Sequence, residues 1–563
     1  MRVPRRFMRG NNAFATSYAG PDGEPIHNLD TGRLHMQRGG VPGGDVMARL
    51  SDVQALEALI VPATFGSRVL AAAAAVPVVV AWLSIGGFGA IGDGGHGIYK
   101  RVADTGTLEA WQFRSNANTV RWELVDERAN LLQFGCKRDA SADASPGIRA
   151  GVKYSAGRPL LGPMGQFLMG SAIDETVPMH VYGIGTGAGP GEASQSNSNC
   201  TQFLCNFANP SAFIARSIYP SIFRDFQVNV MPAFRSPTGG AAIQLIGTGA
   251  NMANARVENV AFNEFHRGIY MLDASWHIVR GCYFGNWVAD AIYSASTGIE
   301  SGAGHITNNY FFGKATAAQT SCINLRHGYT IVAQNEIVGA QYGVKVEIAN
   351  HAAGFLKIVD NTIEESFYNG VYVASVDPDP GLGAGAMFDI SGNEFSNLYT
   401  GASYLGAINI LERPGGGVWL TDFSICRNTT RSLCAAGASH IRVSAGQNGI
   451  ISENVLQEMG GNNPNGIVVN GVGTNASLGA NIQVLDTTFL GSFGTKFIFK
   501  AATVTWRQLM PMTTAEINAI AARDGSIAYA GDGQSDGSGN RVLTAGGVGT
   551  LALRRASIWS VMI

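Results

Sequence analysis

Four acidic side chains, Glu336, Asp360, Glu364 and Glu394, fall at fixed offsets from a recurring asparagine. With Asn335, Asn361 and Asn393 as zero, Glu336 and Glu394 stand at +1, Glu364 at +3 and Asp360 at −1. If copies of this pattern stack as parallel strands, +1 and +3 flank an inward +2 and so point outward. Coils about 4.8 Å apart and a two-residue step of about 6.6 Å put Glu336 and Glu364 on a diagonal of about 8 Å. A general acid and a general base with a water between them need roughly 6.5–9.5 Å. Repulsion between the carboxylates raises one pKa and supplies the acid. Asp360 adjoins a corner, so its direction stays open. The competing reading is ordinary solvated charge, because a regular grid of carboxylates yields such separations by chance.

A second set lies on another strand of each repeat. Gln244, Tyr270, Tyr293, Asn324, Lys345, Tyr372, Asn409 and Arg442 each sit between the two apolar residues of a small–apolar–x–apolar segment. Rings cover the apolar faces of pyranoses, and amides bond their hydroxyls, so this row suits a sugar chain. Equally, tyrosine is a good strand residue with a half-exposed ring. Lyase chemistry would call on Lys345, Arg326 or Arg442 as base and on clustered carboxylates for Ca²⁺. No tight acidic cluster is present, and Asp377-Pro378-Asp379 is poorly shaped for one. No HExxH pair occurs, and the single GxSxG string, Gly533–Gly537, lies in a glycine-rich run without the strand-to-helix context of a nucleophile elbow. Hydrolysis is therefore preferred, with no cofactor and no metal.

These residues must be positioned by the stretch Phe223 to Phe489, which repeats itself. Zero positions are Phe226, Val260, Cys282, Asn309, Asn335, Asn361, Asn393, Asn428, Asn454 and Thr487. Apolar residues precede each by three (Phe223 to Val484) and follow by two (Val228 to Phe489), with Thr430 alone breaking the second column. Spacings of roughly 22 to 35 residues mark a solenoid. Two period-2 strands per repeat, stacked like on like, predict a parallel β-helix with one apolar core and turn-residue ladders outside it. Asparagine at zero tolerates a left-handed corner and bonds its stacked copy. An antiparallel sandwich would explain the alternation but not the fixed template.

The chain has 563 residues, 73 of them glycine, with 14% charged side chains and net charge −2. That composition favours turns and strands over disorder, and argues against a broad nucleic-acid footprint. Seven scattered cysteines without ligand spacing read as reduced thiols, with Cys282, Cys322 and Cys426 as small core residues. No apolar run follows the basic start Met1–Arg6, so no signal peptide is expected. Val69 to Ile85 is too short for a membrane span and reads as a buried helix and its continuation.

Further motifs place the solenoid in a longer plan. Leu29–Met36 with Gly39–Gly44 is a strand bounded by turns, and Ser51–Glu57 starts a capped helix. Gly86–Gly97 is glycine-rich, but a strand, Ile98–Val102, follows it, so the strand–helix context of a phosphate loop is missing. Trp111 and Trp122 sit in short strands. The order of Asp30-Thr31-Gly32-Arg33-Leu34, then Gly92-Asp93-Gly94-Gly95 with Tyr99-Lys100-Arg101-Val102, then Phe134-Gly135-Cys136-Lys137 resembles bacteriophage tailspikes and tail fibres with a pectate-lyase-like β-helix. Cys136 and Arg138 depart from that pattern, and Ser141–Pro146 keeps one acid and no clear cap.

That resemblance implies a right-handed parallel β-helix in an all-β chain, with small N-terminal α/β modules and a β-rich tip. Residues 1–48 would be a virion-attachment module, 49–140 a neck, 141–505 the β-helix and 506–563 a trimerising tip. Gly147–Tyr154 would be the helix that plugs the core, Gly185–Cys200 a surface loop, and Thr513–Glu516 a capping box. It also implies a homotrimer in the phage virion, made in the host cytoplasm and attached to the tail or baseplate. Such a protein would bind, and cleave, a bacterial surface polysaccharide, without nucleic acid or membrane insertion. A non-enzymatic receptor-binding fibre and a purely structural spacer are the alternatives.

Overall fold

The computed structural model describes residues 8–46, 63–186, 199–247, 255–295, 303–313, 320–348, 354–375, 386–397, 405–411, 420–470, 481–499, 504–518 and 527–561, apart from short gaps. The chain divides into two compact units, residues 1–127 with 132–135, and residues 128–131 with 136–563.

The larger unit is the parallel β-helix that the repeat predicts. Each described strand from Asp139 to Met512 bonds in parallel to a strand of a neighbouring coil. The template is reproduced residue by residue: Ile306 pairs with Val332, Val332 with Ile358, Ile358 with Ile390, Ile390 with Ile425 and Ile425 with Ile451. Ile306, Ile358 and Ile451 are fully buried in one interior column. The +2 column stacks beside it, with ring centroids 4.9 Å apart for Phe262–Phe284 and 4.7 Å for Phe284–Phe311. Vertical registry makes one fixed apolar residue per coil enough to build a continuous core.

The corner between these columns corrects one expectation. The left-handed residue is −1, not the asparagine: Asn259 (φ 51), Asn308 (φ 55), Gln334 (φ 55), Asp360 (φ 55), Arg427 (φ 55) and Glu453 (φ 56). Turning the chain at −1 aims the zero side chain inward, so the asparagine ladder runs inside. Nδ2 of Asn309, Asn335, Asn361, Asn393 and Asn428 donates to Oδ1 of the next asparagine at 2.9–3.0 Å. Each of these Oδ1 atoms also accepts the backbone N–H of the asparagine one coil earlier. The amides thereby satisfy the buried polar groups of a sharp corner.

The helix Ser145–Ser155 sits at the first coils, with Ile148 and Val152 buried against them. No side chain caps it at Ala144, and Pro146 opens its first turn. At the other end lie the helix Thr514–Asn518 and short antiparallel strands, Ile527–Ala530, Thr550–Arg555 and Ile558–Val561.

The smaller unit carries a four-stranded and a five-stranded sheet. Leu34–Arg38 is a strand, whereas Leu29–Thr31 form a turn. Gly97–Val102 is a strand as read, and Trp122 is buried within Val120–Leu124, but Trp111 lies in the turn before Gln112–Ser115. The glycine-rich loop folds around its own acid. Asp93 accepts N–H groups from Phe88, Gly89, Ala90 and Gly95 at 2.7–3.0 Å. Burial opposes the charge of Asp93, yet these four donors hold its carboxyl below the usual range.

Two further readings are corrected. Val69 and Leu70 are 61% and 59% exposed on the six-residue helix Arg68–Ala73, so it is not a buried helix. It ends at Ala74 before Pro77, too short to present an apolar face. All seven cysteines are free and Cys282 and Cys322 are buried, but Cys426 is half-exposed. No helix among the described residues is long and apolar enough to cross a membrane. The capped helix expected at Ser51–Glu57, and residues 187–198 of the glycine-serine loop, lie outside the described residues.

Candidate functional site

Beyond the asparagine corner, the strand starting at +1 presents two outward files. In register, Tyr283, Tyr310, Glu336, Thr362, Glu394 and Thr429 form the +1 file. Phe312, Val338, Glu364, Ser396 and Arg431 form the +3 file beside it. Glu336, Glu364 and Glu394 therefore share one wall. Glu364 lies diagonal to the other two at about 8 Å by coil and strand spacing. Glu336 and Glu394 are exposed and Glu364 half-buried. Burial, then Glu336, Glu365 and Glu394, push the Glu364 carboxyl above its ordinary range. Asp360 is elsewhere: it is the exposed left-handed residue of its corner, before the buried Asn361.

The same wall carries rings that the sequence reading passed over. Tyr283 and Tyr310 stack at 5.4 Å with planes 11° apart, and Tyr310 lies 6.5 Å from Phe312, nearly parallel. Burial, then Glu336, Tyr283 and Glu364, raise the pKa of Tyr310, so the ring platform runs directly into the acids. Their +1 and +3 offsets in the same template were the signal that could have found them.

The predicted sugar row also forms one file. Gln244, Tyr270, Tyr293, Asn324, Lys345, Tyr372, Asn409 and Arg442 are paired in that order. Tyr270 and Tyr293 stack at 5.5 Å, with the Arg267 guanidinium 4.7 Å from the Tyr293 centroid. Asn324 donates to Asp290 Oδ1 at 3.2 Å, and Asp290 also accepts from Ser321 at 2.5 Å. Lys345 bonds Glu347 at 2.9 Å and lies 5.5 Å from the ring of Tyr342, which packs on Tyr372 at 4.9 Å. Arg442 Nε donates to Ser444 at 3.2 Å. Oδ1 of Asn324, Asn369 and Asn409 is buried without a partner.

This row does not flank the acids. Left-handed residues at +4, among them Glu264, Asn286, Gly339 and Glu365, turn the coil between the two strands. Tyr270, Tyr293 and Tyr372 consequently lie on one face and Glu336, Glu364 and Glu394 on another. Lys357 and Asp389 pair in register but form no ion pair: Lys357 lies over Phe355, and Asp389 accepts from Ser391.

No protein-family model matches this chain, and no curated protein does. Solved structures with a similar fold include the A-module of the mannuronan C-5 epimerase AlgE4 of Azotobacter vinelandii. It is 14% identical, with 67% of this chain and 99% of that chain covered and a TM-score of 0.50. DFA-IIIase of Arthrobacter chlorophenolicus A6 is 14% identical over 64% of this chain and 95% of that one, TM-score 0.48. The GH87 α-1,3-glucanase of Streptomyces thermodiastaticus strain HF3-3 is 12% identical over 72% and 68%, TM-score 0.41. At these identities, the likeness to the AlgE4 module extends to the fold alone: a parallel β-helix.

Proposed function

We propose that this chain binds a polysaccharide along its β-helix and hydrolyses it at the acidic wall. The observation that carries the reading is Glu364, its pKa raised by burial and by the carboxylates of Glu336, Glu365 and Glu394, at the end of a stacked tyrosine platform. A pyranose chain lying along the stack meets Tyr283 and Tyr310 and then the acids. Glu364, protonated, gives its proton to the glycosidic oxygen as the bond to the anomeric carbon breaks. Glu336 takes a proton from the water that attacks that carbon from the opposite face, and the configuration inverts. Glu364 regains its proton from solvent. By analogy of fold only, the AlgE4 module is named for action on mannuronan, a polysaccharide.

The biological setting belongs to the same proposal. The N-terminal and neck motifs support a phage tailspike: a homotrimer made in the host cytoplasm, joined to the virion through residues 1–48, that cleaves a bacterial surface polysaccharide during adsorption. One observation favours binding without cleavage. The Tyr270–Arg442 face offers the stacked, half-exposed rings of Tyr270 and Tyr293, with the Arg267 guanidinium beside them, to a sugar.

The test is release of new reducing ends from purified host polysaccharide. Wild type should release them, and Glu364→Gln should lower kcat by roughly 10²–10⁴-fold with binding retained. Binding without cleavage by wild type would leave only the receptor reading. Cleavage that survives both Glu364→Gln and Glu336→Gln would refute the acidic wall as the catalytic site.

A further inference from the structure

Inside the last coils, two residues break the files they belong to, and a third, Glu458, turns inward from the +4 file in which Glu264 and Glu365 stay at the surface. Thr430 replaces the apolar +2 residue, between Phe395 and Leu456. His440 stands one residue before Ile441, which is paired with Ile408 and Ile467, so it falls where the neighbouring coils carry Ala407 and Gly466. Glu458 is paired with Ser432 and turned inward. The side chains of His440 and Glu458 are fully buried, as is Cys434. Here a carboxylate, an imidazole and a thiol, all fully buried, meet in one interior cluster.

We propose that Cys434, His440 and Glu458 bind a structural divalent transition metal, Zn²⁺ by the chemistry of the donors. One sulfur, one nitrogen and one oxygen atom from these residues lie within 4.8 Å of one another. His440 Nε2 and Glu458 Oε2 are 3.2 Å apart. Zn–N and Zn–O bonds of roughly 2.0–2.1 Å in a tetrahedron give a ligand-to-ligand edge of about 3.3 Å. His440 Nδ1 lies 2.7 Å from Thr430 Oγ1, and in the metal-bound form Nδ1–H donates there and leaves the Nε2 lone pair facing the site. That is the outer-shell contact that fixes a ligating histidine. Glu458 Oε1 accepts Gly460 N–H at 3.0 Å, which orients the other oxygen inward.

Charge argues the same way. A fully buried carboxylate costs several kcal/mol unless its charge is met. Zn²⁺ with one thiolate, one carboxylate and a neutral imidazole sums to zero, and binding releases the thiol proton to solvent. A mixed thiolate, imidazole and carboxylate set selects zinc over Ca²⁺ or Mg²⁺. The competing arrangement has no metal: His440 Nε2–H donates to Glu458, and Thr430 donates to Nδ1.

The experiment uses the full-length chain expressed in zinc-supplemented medium and dialysed against metal-free buffer. Mass spectrometry should find one zinc per chain, and a strong chelator should remove it and lower Tm. Protein grown with Co²⁺ should show thiolate-to-cobalt charge-transfer absorption. That band should vanish in Cys434→Ser and persist in Cys136→Ser, whose thiol is buried elsewhere. A wild-type chain with only trace metal, no cobalt–thiolate band and a Tm indifferent to chelator would overturn the proposal, even if Cys434→Ser fails to fold. These readouts do not depend on polysaccharide cleavage, so they stand or fall apart from it.

Discussion

Replacing Asn361 by alanine should cost about 3–6 kcal/mol, a figure built from the groups that the amide serves. Its Oδ1 accepts Asn335 N–H at 3.0 Å and Asn335 Nδ2 at 2.9 Å. Its Nδ2 donates to Val332 O at 3.0 Å and to Asn393 Oδ1 at 2.9 Å. Asn335 Nδ2 keeps Ile306 O, and Asn393 Oδ1 keeps Asn361 N–H, so neither is orphaned. The Asn335 N–H is: it stays buried without an acceptor, at about 1–3 kcal/mol. Two or three further bonds, at about 1 kcal/mol net each, make up the rest. Long solenoids do not unfold in one step, so the measurement is native-state hydrogen exchange across residues 330–375. Protection there should fall roughly 10²–10⁴-fold, against less than tenfold for Thr362→Ala, whose side chain faces outward. Equal effects of the two substitutions would refute the inward ladder as the element that fixes the corner. The acids depend on it, because Thr362 and Glu364 leave that corner directly.

Two linked predictions concern pH. Glu364 has a raised folded pKa, so stability linked to it is fully present below the unfolded pKa and is lost as pH rises through the folded value. Glu364→Gln should therefore gain stability relative to wild type at neutral pH and lose that gain in acid, by native-state hydrogen exchange across its coil at pH about 3.5 and about 7. Asp93 has the opposite sign: its contribution is present above the unfolded pKa and lost as pH falls through the depressed folded one. Asp93→Ala should cost the N-terminal unit about 1–2 kcal/mol at neutral pH and almost nothing at strongly acid pH, followed by exchange of the Phe88, Gly89, Ala90 and Gly95 amides.

The architecture was legible because stacking turns spacing into registry. Ten template positions sufficed to place Phe223 through Val484 in one interior file. What the spacing lacked was the corner itself. A string with asparagine at zero does not say whether zero or −1 takes the left-handed conformation, because asparagine suits either role. Backbone turning at −1 decided it, even where that residue is Arg427 or Glu453. The site was half legible for the same reason. The +1 and +3 files were readable, and the acids share a wall. The left-handed turn at +4, which puts the tyrosine row and the acids on separate faces, was not. Val69 and Leu70 misled through hydrophobicity alone, since a six-residue helix has no second turn to define an inward side.

In a stacked fold the informative residues are those that leave their file. A file of like residues is explained by packing, each copy filling the same slot one coil on. A change of residue type within a file lacks that explanation and needs another. On the outer wall the +1 file passes from Tyr310 to Glu336, and the aromatic platform ends where the acids start. Inside, Thr430 and His440 leave two different files, Glu458 alone turns inward from the +4 file that holds Glu264 and Glu365, and His440 lies within bonding distance of both. Independent departures have no packing reason to coincide, and each alone costs buried polarity in an apolar column. Their convergence is what a ligand would require, and the outer wall and the inner cluster can be tested separately because neither shares a side chain with the other.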